Sequence, residues 1–350
     1  MKTSQLILFI VLSSIYFLSC EKDKTLSPDE TTVNTSTFEK LDVEYKGVSF
    51  VSPSTPAGPE TFTPIADVNG NSASIIPFGF VYTGDSVVYY NEPFQWWGER
   101  DEGVIALINY AQSKGLKVMV KPQIWMISGV FTGDFNLNTE TQWQSFEDTY
   151  TNYIMHFATL ADSMNCELFS IGTEFKTFVQ ERPQFWSNLI DSVRTVFSGD
   201  LTYAENWDAF QNFPHWDQLD YIGIDAYFPL SSSSTPSVKE CIDGWIPHLN
   251  SIASVQDQVG IPVLFTEYGY RSRDHCAQEP WDSSNGGTLN MEAQQNAYEG
   301  LYLTFWDKPW FQGGFVWKWF PNHSSSGGTS NDRFTPQNKP AEEFLREMYE

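Results

Sequence analysis

The sequence predicts an α/β fold, a single (β/α)8 barrel of the TIM type, from three observations. Short runs rich in β-branched and aromatic residues recur eight times from about residue 46 onward. Longer amphipathic segments lie between them, which implies parallel strands joined by right-handed crossovers. An open α/β sheet is the alternative, but it would need a glycine-rich phosphate loop after an early strand, and the sequence has none. Eight such units therefore favour a closed barrel.

The eight strand candidates are bounded apolar runs at 47–51, 74–80, 116–122, 167–172, 201–204, 221–226, 262–266 and 314–317. The helix candidates carry apolar residues at helical spacing and lie at 103–112, 141–164, 184–196, 239–256, 291–305 and 341–348. No internal repeat and no second domain is visible. We therefore expect one barrel domain over residues 46–350.

The charge balance excludes some classes of function. The chain has 44 acidic against 20 basic residues, a formal net charge of −24, which disfavours nucleic-acid binding and electrostatic docking on an anionic membrane. Hydrophobic residues make up 41% of the 350 residues, enough for a sizeable core. Aromatic residues make up 16%. That surplus suggests flat apolar surfaces for a ligand with flat faces, such as sugar rings.

The first 20 residues have the features of an export signal. One lysine precedes a short apolar run, and Leu18-Ser19-Cys20 resembles a bacterial lipoprotein box, in which the cysteine is lipidated. Residues 21–45 are rich in polar residues and are predicted to be a flexible tether. Glu21-Lys22-Asp23 resembles signals that send some lipoproteins to the cell surface. The predicted location is the outer membrane or surface of a Gram-negative, Bacteroidetes-like bacterium, with the lipid as the only membrane contact.

The remaining cysteines do not indicate a metal site. Cys166, Cys241 and Cys276 lack the paired close spacing of zinc ligands, and histidines number only five. A bridge between Cys241 and Cys276 is possible, but the sequence does not decide it. We expect no metal and no cofactor.

Two glutamates follow apolar strands at the end of a barrel where active sites lie. Glu174 comes after the fourth strand candidate and Glu267 after the seventh. These strands face each other across the barrel mouth. Retaining glycoside hydrolysis needs two carboxyl groups about 5 to 5.5 Å apart. Either glutamate alone could be structural, but the pair predicts a glycosidase.

The chain resembles clan A glycoside hydrolases, and within them family 113, whose characterised members are mostly endo-β-1,4-mannanases. The likeness runs from about residue 47 to the end. It is carried by Trp96-Trp97-Gly98-Glu99, Lys121-Pro122-Gln123-Ile124-Trp125, Ile171-Gly172-Thr173-Glu174, the segment 220–230 and Phe265-Thr266-Glu267-Tyr268-Gly269-Tyr270. It implies Glu174 as acid/base and Glu267 as nucleophile. Most clan members have Asn before the acid/base, where this chain and family 113 have Thr173.

Further residues are candidates for the site. Asn206 could contact the sugar 2-hydroxyl, and Tyr227 could donate a hydrogen bond to Glu267. Trp317 could form a floor under the cleaved sugar, and Lys121 and Gln123 could bind hydroxyls. Asp225 could do the same, although a structural role fits it better. The tryptophans that could stack on flanking sugars are Trp96, Trp97, Trp125 and Trp207.

The leading hypothesis is a retaining endo-β-1,4-mannanase acting on mannan or glucomannan. A second hypothesis keeps the machinery but changes the glycan to glucan or xylan, or the action to exo. The third, from another class, is a carbohydrate-binding lipoprotein without catalysis. The oligomeric state cannot be read from the sequence.

Overall fold

The computed structural model describes residues 38–282, 284 and 287–350. The predicted signal peptide 1–20, with Cys20, and tether residues 21–37 lie outside the described residues. The described chain contains ten strands: β1 (Tyr45–Phe50), β2 (Ser72–Ile75), β3 (Phe78–Val81), β4 (Lys117–Val120), β5 (Gln123–Met126), β6 (Leu168–Thr173), β7 (Asp200–Asn206), β8 (Tyr221–Asp225), β9 (Val263–Tyr268) and β10 (Phe311–Trp319).

Eight of these strands close a parallel barrel in the order β1-β10-β9-β8-β7-β6-β4-β2. This confirms the predicted (β/α)8 fold. The helices are α1 (Thr63–Asp67), α2 (Asp101–Ser113), α3 (Glu140–Ser163), α4 (Lys176–Glu181), α5 (Pro183–Arg194), α6 (Val238–Val259), α7 (Met291–Phe305) and α8 (Pro340–Tyr349). The six predicted helices are present, and the short α1 and α4 are additional.

Two prolines each separate a barrel strand from an outer strand. The predicted strand 74–80 contains the end of β2 and most of β3, with Pro77 between them. The predicted strand 116–122 contains β4 and ends at Pro122, and β5 beyond it was not predicted. Proline has no N–H to continue a ladder. Beyond the breaks, β3 and β5 pair with each other in a separate two-stranded parallel sheet. This small sheet extends the carboxyl end of the barrel on one side.

The folded chain begins before the predicted boundary at residue 46. Leu41 N donates a hydrogen bond to Trp306 O at 2.8 Å, and the Val43 side chain is buried. Tyr45 already belongs to β1. The prediction of a flexible tether up to residue 45 is therefore wrong for its last residues.

The core has two layers. Inside the barrel, toward the amino ends of the strands, lies a cluster of Tyr45, Met119, Leu168, Tyr221, Leu264 and Phe315. A larger layer lies between the strands and the helices, and four fully buried tryptophans belong to it: Trp186, Trp245, Trp306 and Trp319. Much of the aromatic surplus is therefore core packing.

Local sequence signals explain where α6 begins and ends. Ser237 accepts a hydrogen bond from Glu240 N, and the Glu240 carboxylate accepts one from Ser237 N, forming a capping box. The helix ends at Gly260, whose φ of 81° is readily adopted by glycine. Among the described residues, no helix is both long enough and apolar enough to cross a bilayer.

Candidate active site

Glu174 and Glu267 line one cavity at the carboxyl end of the barrel. Glu174 directly follows β6, and Glu267 is the second-last residue of β9. Two strands, β7 and β8, separate β6 from β9, so the two glutamates approach from different sides of the barrel mouth. The cavity has a volume of about 640 Å³. We call it the glutamate cavity.

The backbone of Glu174 is fixed by the neighbouring strand. Its φ is 54°, a left-handed conformation that is uncommon for a non-glycine residue. Glu174 N donates a hydrogen bond to Ala204 O at 2.8 Å, and the next amide, Phe175 N, donates to the Tyr203 hydroxyl at 2.7 Å. These bonds to β7 hold the residue in a conformation that a free chain would rarely adopt.

The surroundings of Glu174 favour its protonated form. Burial raises the pKa of this carboxyl well above its usual value, and the charges of Asp225 and Glu267 raise it further, against a smaller opposing effect of Lys121. Glu174 therefore keeps its proton at pH values where an ordinary glutamate is ionised. A carboxyl group in that state can act as a general acid.

Three side chains donate hydrogen bonds to Glu267. Lys121 Nζ lies 2.5 Å and Gln123 Nε2 2.6 Å from Glu267 Oε1, and the Tyr227 hydroxyl lies 2.8 Å from Oε2. The hydrogen bond expected from Tyr227 is thus present. Both carboxylate oxygens are held in place by donors from the residue after β4, from β5 and from the segment after β8. The environment is that of an oriented carboxylate.

Lys121 belongs to a buried ion cluster. Its side chain is fully buried, and Nζ lies 3.0 Å from both carboxylate oxygens of Asp225 as well as close to Glu267. Burial alone would lower the pKa of Lys121, but Asp225 and Glu267 more than offset this and raise it. The prediction that Lys121 binds sugar hydroxyls is wrong, because its three donors point to carboxylates.

Asp225 lies mainly within the protein, as the structural interpretation expected. It is 1% exposed and accepts a hydrogen bond from the Thr266 hydroxyl at 2.7 Å in addition to those from Lys121. Burial and the charge of Glu267 raise its pKa, with Lys121 and Thr266 opposing them. Gln123 borders the glutamate cavity, so its contact with sugar stays a prediction.

Two further predicted residues line the glutamate cavity. Asn206 and Trp207, at the end of β7, both line it. The Asn206 amide is oriented by Asp208 Oδ1 at 3.1 Å and by Trp207 N at 3.0 Å. The Trp207 ring stacks on Trp281, with centroids 4.8 Å apart and planes 22° from parallel. Contact of these side chains with sugar stays a prediction.

A second cavity adjoins the first at Trp317. Its volume is about 490 Å³, and Trp317 lines both cavities. The small β3–β5 sheet and the segment before α2 supply most of its aromatic wall, including Trp96 and Trp125, which are 51% and 58% exposed. We call it the aromatic cavity. The two cavities give the protein aromatic surfaces on either side of Trp317.

Trp97 does not belong to this wall. Its side chain is 6% exposed and packs in the hydrophobic core. The prediction that Trp97 stacks on sugar is therefore wrong, and its neighbour Trp96 is the exposed ring. The pair is adjacent in a loop, where no strand or helix periodicity shows which ring faces outward.

Sequence reasoning missed several cavity residues, because no local pattern shows which side chains border a cavity formed by distant segments. The glutamate cavity is also lined by Phe131, Asp134, Lys176, Trp281 and Phe334, and the aromatic cavity by Phe94, Gln95 and Lys318. Of these residues, only Trp281 could have been predicted from the sequence, because it is a tryptophan in the long loop after the strand of Glu267. No group of three or more His, Cys, Asp or Glu side chains in the described ranges is placed to hold a metal ion. Cys166, Cys241 and Cys276 are buried free thiols.

Comparison with known proteins agrees with this geometry. The family model described as Glycoside Hydrolase Family 113 matches residues 81–339. The chain belongs to glycoside hydrolase family 113. It is therefore a glycoside hydrolase, and the family resemblance found in the sequence is confirmed. No curated protein matches the chain.

Solved structures of the same family are similar over most of the chain. The family 113 β-mannanase AaManA from Alicyclobacillus acidocaldarius, in complex with ManMIm, is 24% identical with a TM-score of 0.77, over 88% of this chain and 97% of that one. Two family 113 β-1,4-mannanase structures, one of them a complex, are 26% and 25% identical, with TM-scores of 0.75 and 0.76. Each is matched over 88% of this chain and 99% of its own.

Proposed function

We propose that this family 113 enzyme is a retaining endo-β-1,4-mannanase that cleaves mannan or glucomannan by double displacement. The observation that carries the proposal is the pair formed by Glu174 and Glu267 at one cavity, in opposite settings. Glu174 is buried and lies near negatively charged groups, and both effects keep it protonated. Glu267 accepts hydrogen bonds from three donors. Two carboxyl groups in contrasting environments are the arrangement of an acid and a nucleophile.

In the first step Glu267 attacks the anomeric carbon while Glu174 gives its proton to the leaving glycosidic oxygen. The glycosyl–Glu267 ester forms as the glycosidic bond breaks. In the second step Glu174, now ionised, takes a proton from water, whose oxygen attacks the same carbon and releases Glu267. Two inversions leave the anomeric configuration unchanged. The hydrogen bonds from Lys121, Gln123 and Tyr227 orient Glu267 in both steps.

Two findings support mannan and internal cleavage. The solved structures at 25% and 26% identity are β-1,4-mannanases. Aromatic-lined cavities lie on both sides of Trp317, which suits a polymer that continues past the cleaved bond in both directions.

A screen on mannan, glucomannan, xylan and β-glucan tests the substrate and the mode of action. We expect reducing ends to appear first on mannan and glucomannan, with a mixture of oligosaccharide sizes early in the reaction. Fastest release from xylan or β-glucan, or a single small product, would overturn the mannan or the endo assignment. Binding of polysaccharide without any cleavage would indicate a carbohydrate-binding protein.

Rescue by azide tests the two roles separately. Glu267→Ala should lose turnover and regain it with azide as an α-glycosyl azide, whereas Glu174→Ala with an activated aryl glycoside should give the β-azide. Near-normal activity of both variants would rule out the pair. Proton NMR of the first product in the wild-type reaction should show the β-anomer.

We also propose that the chain is exported and anchored through a lipid on Cys20, with residues 21–37 as a tether and the barrel outside the cell. The support is the sequence pattern of residues 1–20. Mass spectrometry of the N-terminal peptide should find a diacylglyceryl cysteine, and Cys20→Ala should move the protein from the membrane fraction to the soluble fraction. An unmodified Cys20 in membranes would contradict the anchor.

A further inference from the structure

The walls of the aromatic cavity are mostly apolar, and few of its polar side chains are free to bind a ligand. Its walls include Phe78, Phe80, Phe94, Trp96, Trp125 and Phe320. Aromatic faces bind the C–H faces of a pyranose, but the hydroxyls around its edge both donate and accept hydrogen bonds. Burying those hydroxyls without partners is costly. The available polar groups therefore decide which ligand fits.

Most polar side chains at this cavity are already engaged by the protein. Gln95 Nε2 donates to Phe78 O at 2.7 Å, and its Oε1 accepts from Glu92 N at 2.8 Å. The Ser52 hydroxyl donates to Ile76 O at 3.2 Å. Glu99 is 8% exposed, and burial raises the pKa of its carboxyl group while interactions with Gln95 and the Trp96 backbone oppose that effect. None of these is free to take a ring of hydroxyls.

Two polar side chains at the cavity differ from these: the Ser49 hydroxyl has no hydrogen-bond partner but is fully buried behind the wall, and Lys318 is partly exposed. The Lys318 Nζ lies over the rings of Trp317 and Phe320, 5.2 Å and 5.4 Å from their centroids, and among the described residues no side chain forms an ion pair or hydrogen bond with it. Burial lowers the pKa of this amine, with Glu267 opposing the effect. A partly buried ammonium without a hydrogen-bond acceptor is open to one from a ligand.

We propose that the aromatic cavity binds an O-acetyl ester on the sugar chain, with Lys318 donating a hydrogen bond to the ester carbonyl and the aromatic walls enclosing the methyl group. An ester carbonyl only accepts hydrogen bonds, and its methyl needs only apolar surface. One donor in an apolar cavity therefore matches an acetyl group better than a ring of hydroxyls. This inference rests on the proposed mannanase function and adds a substrate class to it.

The position of Glu174 indicates on which side of the cleaved bond the aromatic cavity lies. Glu174 follows β6 and Trp207 follows the neighbouring strand β7, whereas Glu267 lies on β9 beside β10, which carries Trp317. Because Glu174 gives its proton to the leaving oxygen, we assign the leaving chain to the side of Trp207 and Trp281. The aromatic cavity lies beyond Trp317 on the other side. The acetylated sugar therefore belongs to the fragment that passes through the glycosyl–enzyme stage and ends with the new reducing end.

The test compares acetylated glucomannan with the same polymer after mild alkaline deacetylation. We expect kcat/KM to be at least roughly tenfold higher on the acetylated polymer, from burial of the methyl and a charge-assisted hydrogen bond. Mass spectrometry after labelling the new reducing ends with ¹⁸O should find acetyl groups on sugars near the label. Equal kcat/KM on the two polymers, or acetyl groups absent from labelled fragments, would overturn the inference but leave the mannanase proposal intact.

Lys318→Met should reduce the preference to about fourfold, the part due to the methyl alone. Lys114→Met is the matched control, since Lys114 is exposed and distant from both cavities, and it should keep the full preference. Phe94→Gln, at a residue that is 59% exposed, probes the wall at little cost to folding and should also lower the preference. An unchanged preference in both Lys318→Met and Phe94→Gln would contradict the assignment.

A binding measurement makes the test independent of turnover. Calorimetry with Glu267→Gln protein and mannohexaose, with and without acetyl groups, should give at least roughly tenfold tighter binding of the acetylated form. If the wild-type protein cuts no mannan but the Glu267→Gln protein binds the acetylated form more tightly, the mannanase function fails and the acetyl site stands. If the wild-type protein cuts mannan and the Glu267→Gln protein binds both forms equally, the mannanase function stands and the acetyl site fails.

Discussion

Lys121 Nζ contacts the carboxylates of both Asp225 and Glu267, at 3.0 Å and 2.5 Å, from a position fully enclosed in the barrel. When Asp225 and Glu267 are both ionised, Lys121 and these two carboxylates together carry one net negative charge under the cavity. Positive charge develops at the sugar ring in the transition state of glycoside hydrolysis. A fixed negative charge in a water-poor site stabilises it without reorganisation. Lys121 is thus a positioning residue in this active site.

Lys121→Met should lower kcat by about 100-fold or more, because Glu267 loses the donor nearest to Oε1. The variant should also lose roughly 3–5 kcal/mol of folding stability, since two buried carboxylates remain without a cation. Denaturant unfolding and steady-state kinetics on mannan measure the two effects. Adding Asp225→Asn to Lys121→Met should restore part of the stability but not kcat. A folded Lys121→Met enzyme with normal kcat would contradict the positioning role.

The pH profile of kcat/KM should be bell-shaped, and its alkaline limb should report the loss of the Glu174 proton. Because the charge of Glu267 is one of the causes that raise the pKa of Glu174, Glu267→Gln should move that pKa downward. NMR titration of ¹³C-labelled carboxyl groups in wild-type and Glu267→Gln protein measures this. An unchanged Glu174 pKa would show that burial alone sets it.

Glu205, next to Asn206 at the end of β7, should make stability depend on pH. It is 1% exposed, and burial raises its pKa to about 8. The unfolded chain releases this proton near pH 4.5, so the group costs nothing below that pH and progressively destabilises the fold as the pH rises to about 8. Glu205→Gln should therefore gain on the order of a few kcal/mol at pH 9 and almost nothing at pH 4.

Unfolding by urea at the two pH values checks the Glu205 prediction. The hydrogen bond from Asn206 N to the side chain, 2.9 Å in the native protein, can be kept by the amide oxygen of glutamine. Glu347→Gln on the exposed face of α8 is the matched control and should change stability little at either pH. A gain of equal size at pH 4 and pH 9 would indicate better packing instead of charge removal.

Substitutions of Trp96 and Trp97 should have different effects, the first on substrate binding and the second on folding stability. Trp96→Ala removes an exposed ring from the aromatic cavity and should raise KM on mannan several-fold while the melting temperature stays nearly constant. Trp97→Ala empties a core position and should cost roughly 3–5 kcal/mol. Steady-state kinetics and thermal unfolding of both variants check this. The opposite pattern would mean that Trp97, and not Trp96, faces the substrate.

The sequence was sufficient for the barrel because strand and helix periodicities are local. It also placed Glu174 and Glu267 together, since both follow strands that must end at one mouth. It failed for Lys121 and Trp97, whose surroundings are set by other parts of the chain. Lys121 follows β4, and only closure of the barrel brings Asp225 and Glu267 to its ammonium. Trp96 and Trp97 are adjacent in a loop, where only tertiary packing decides which ring is buried.

The two-stranded sheet of β3 and β5 is hydrogen-bonded to itself and not to the barrel ladder. It nevertheless carries Trp125 and much of the wall beyond Trp317. Its length can therefore vary among relatives, or be redesigned, without a change in shear or strand number in the barrel beneath. Recognition of the polymer on this side can diverge independently of the machinery that breaks the bond.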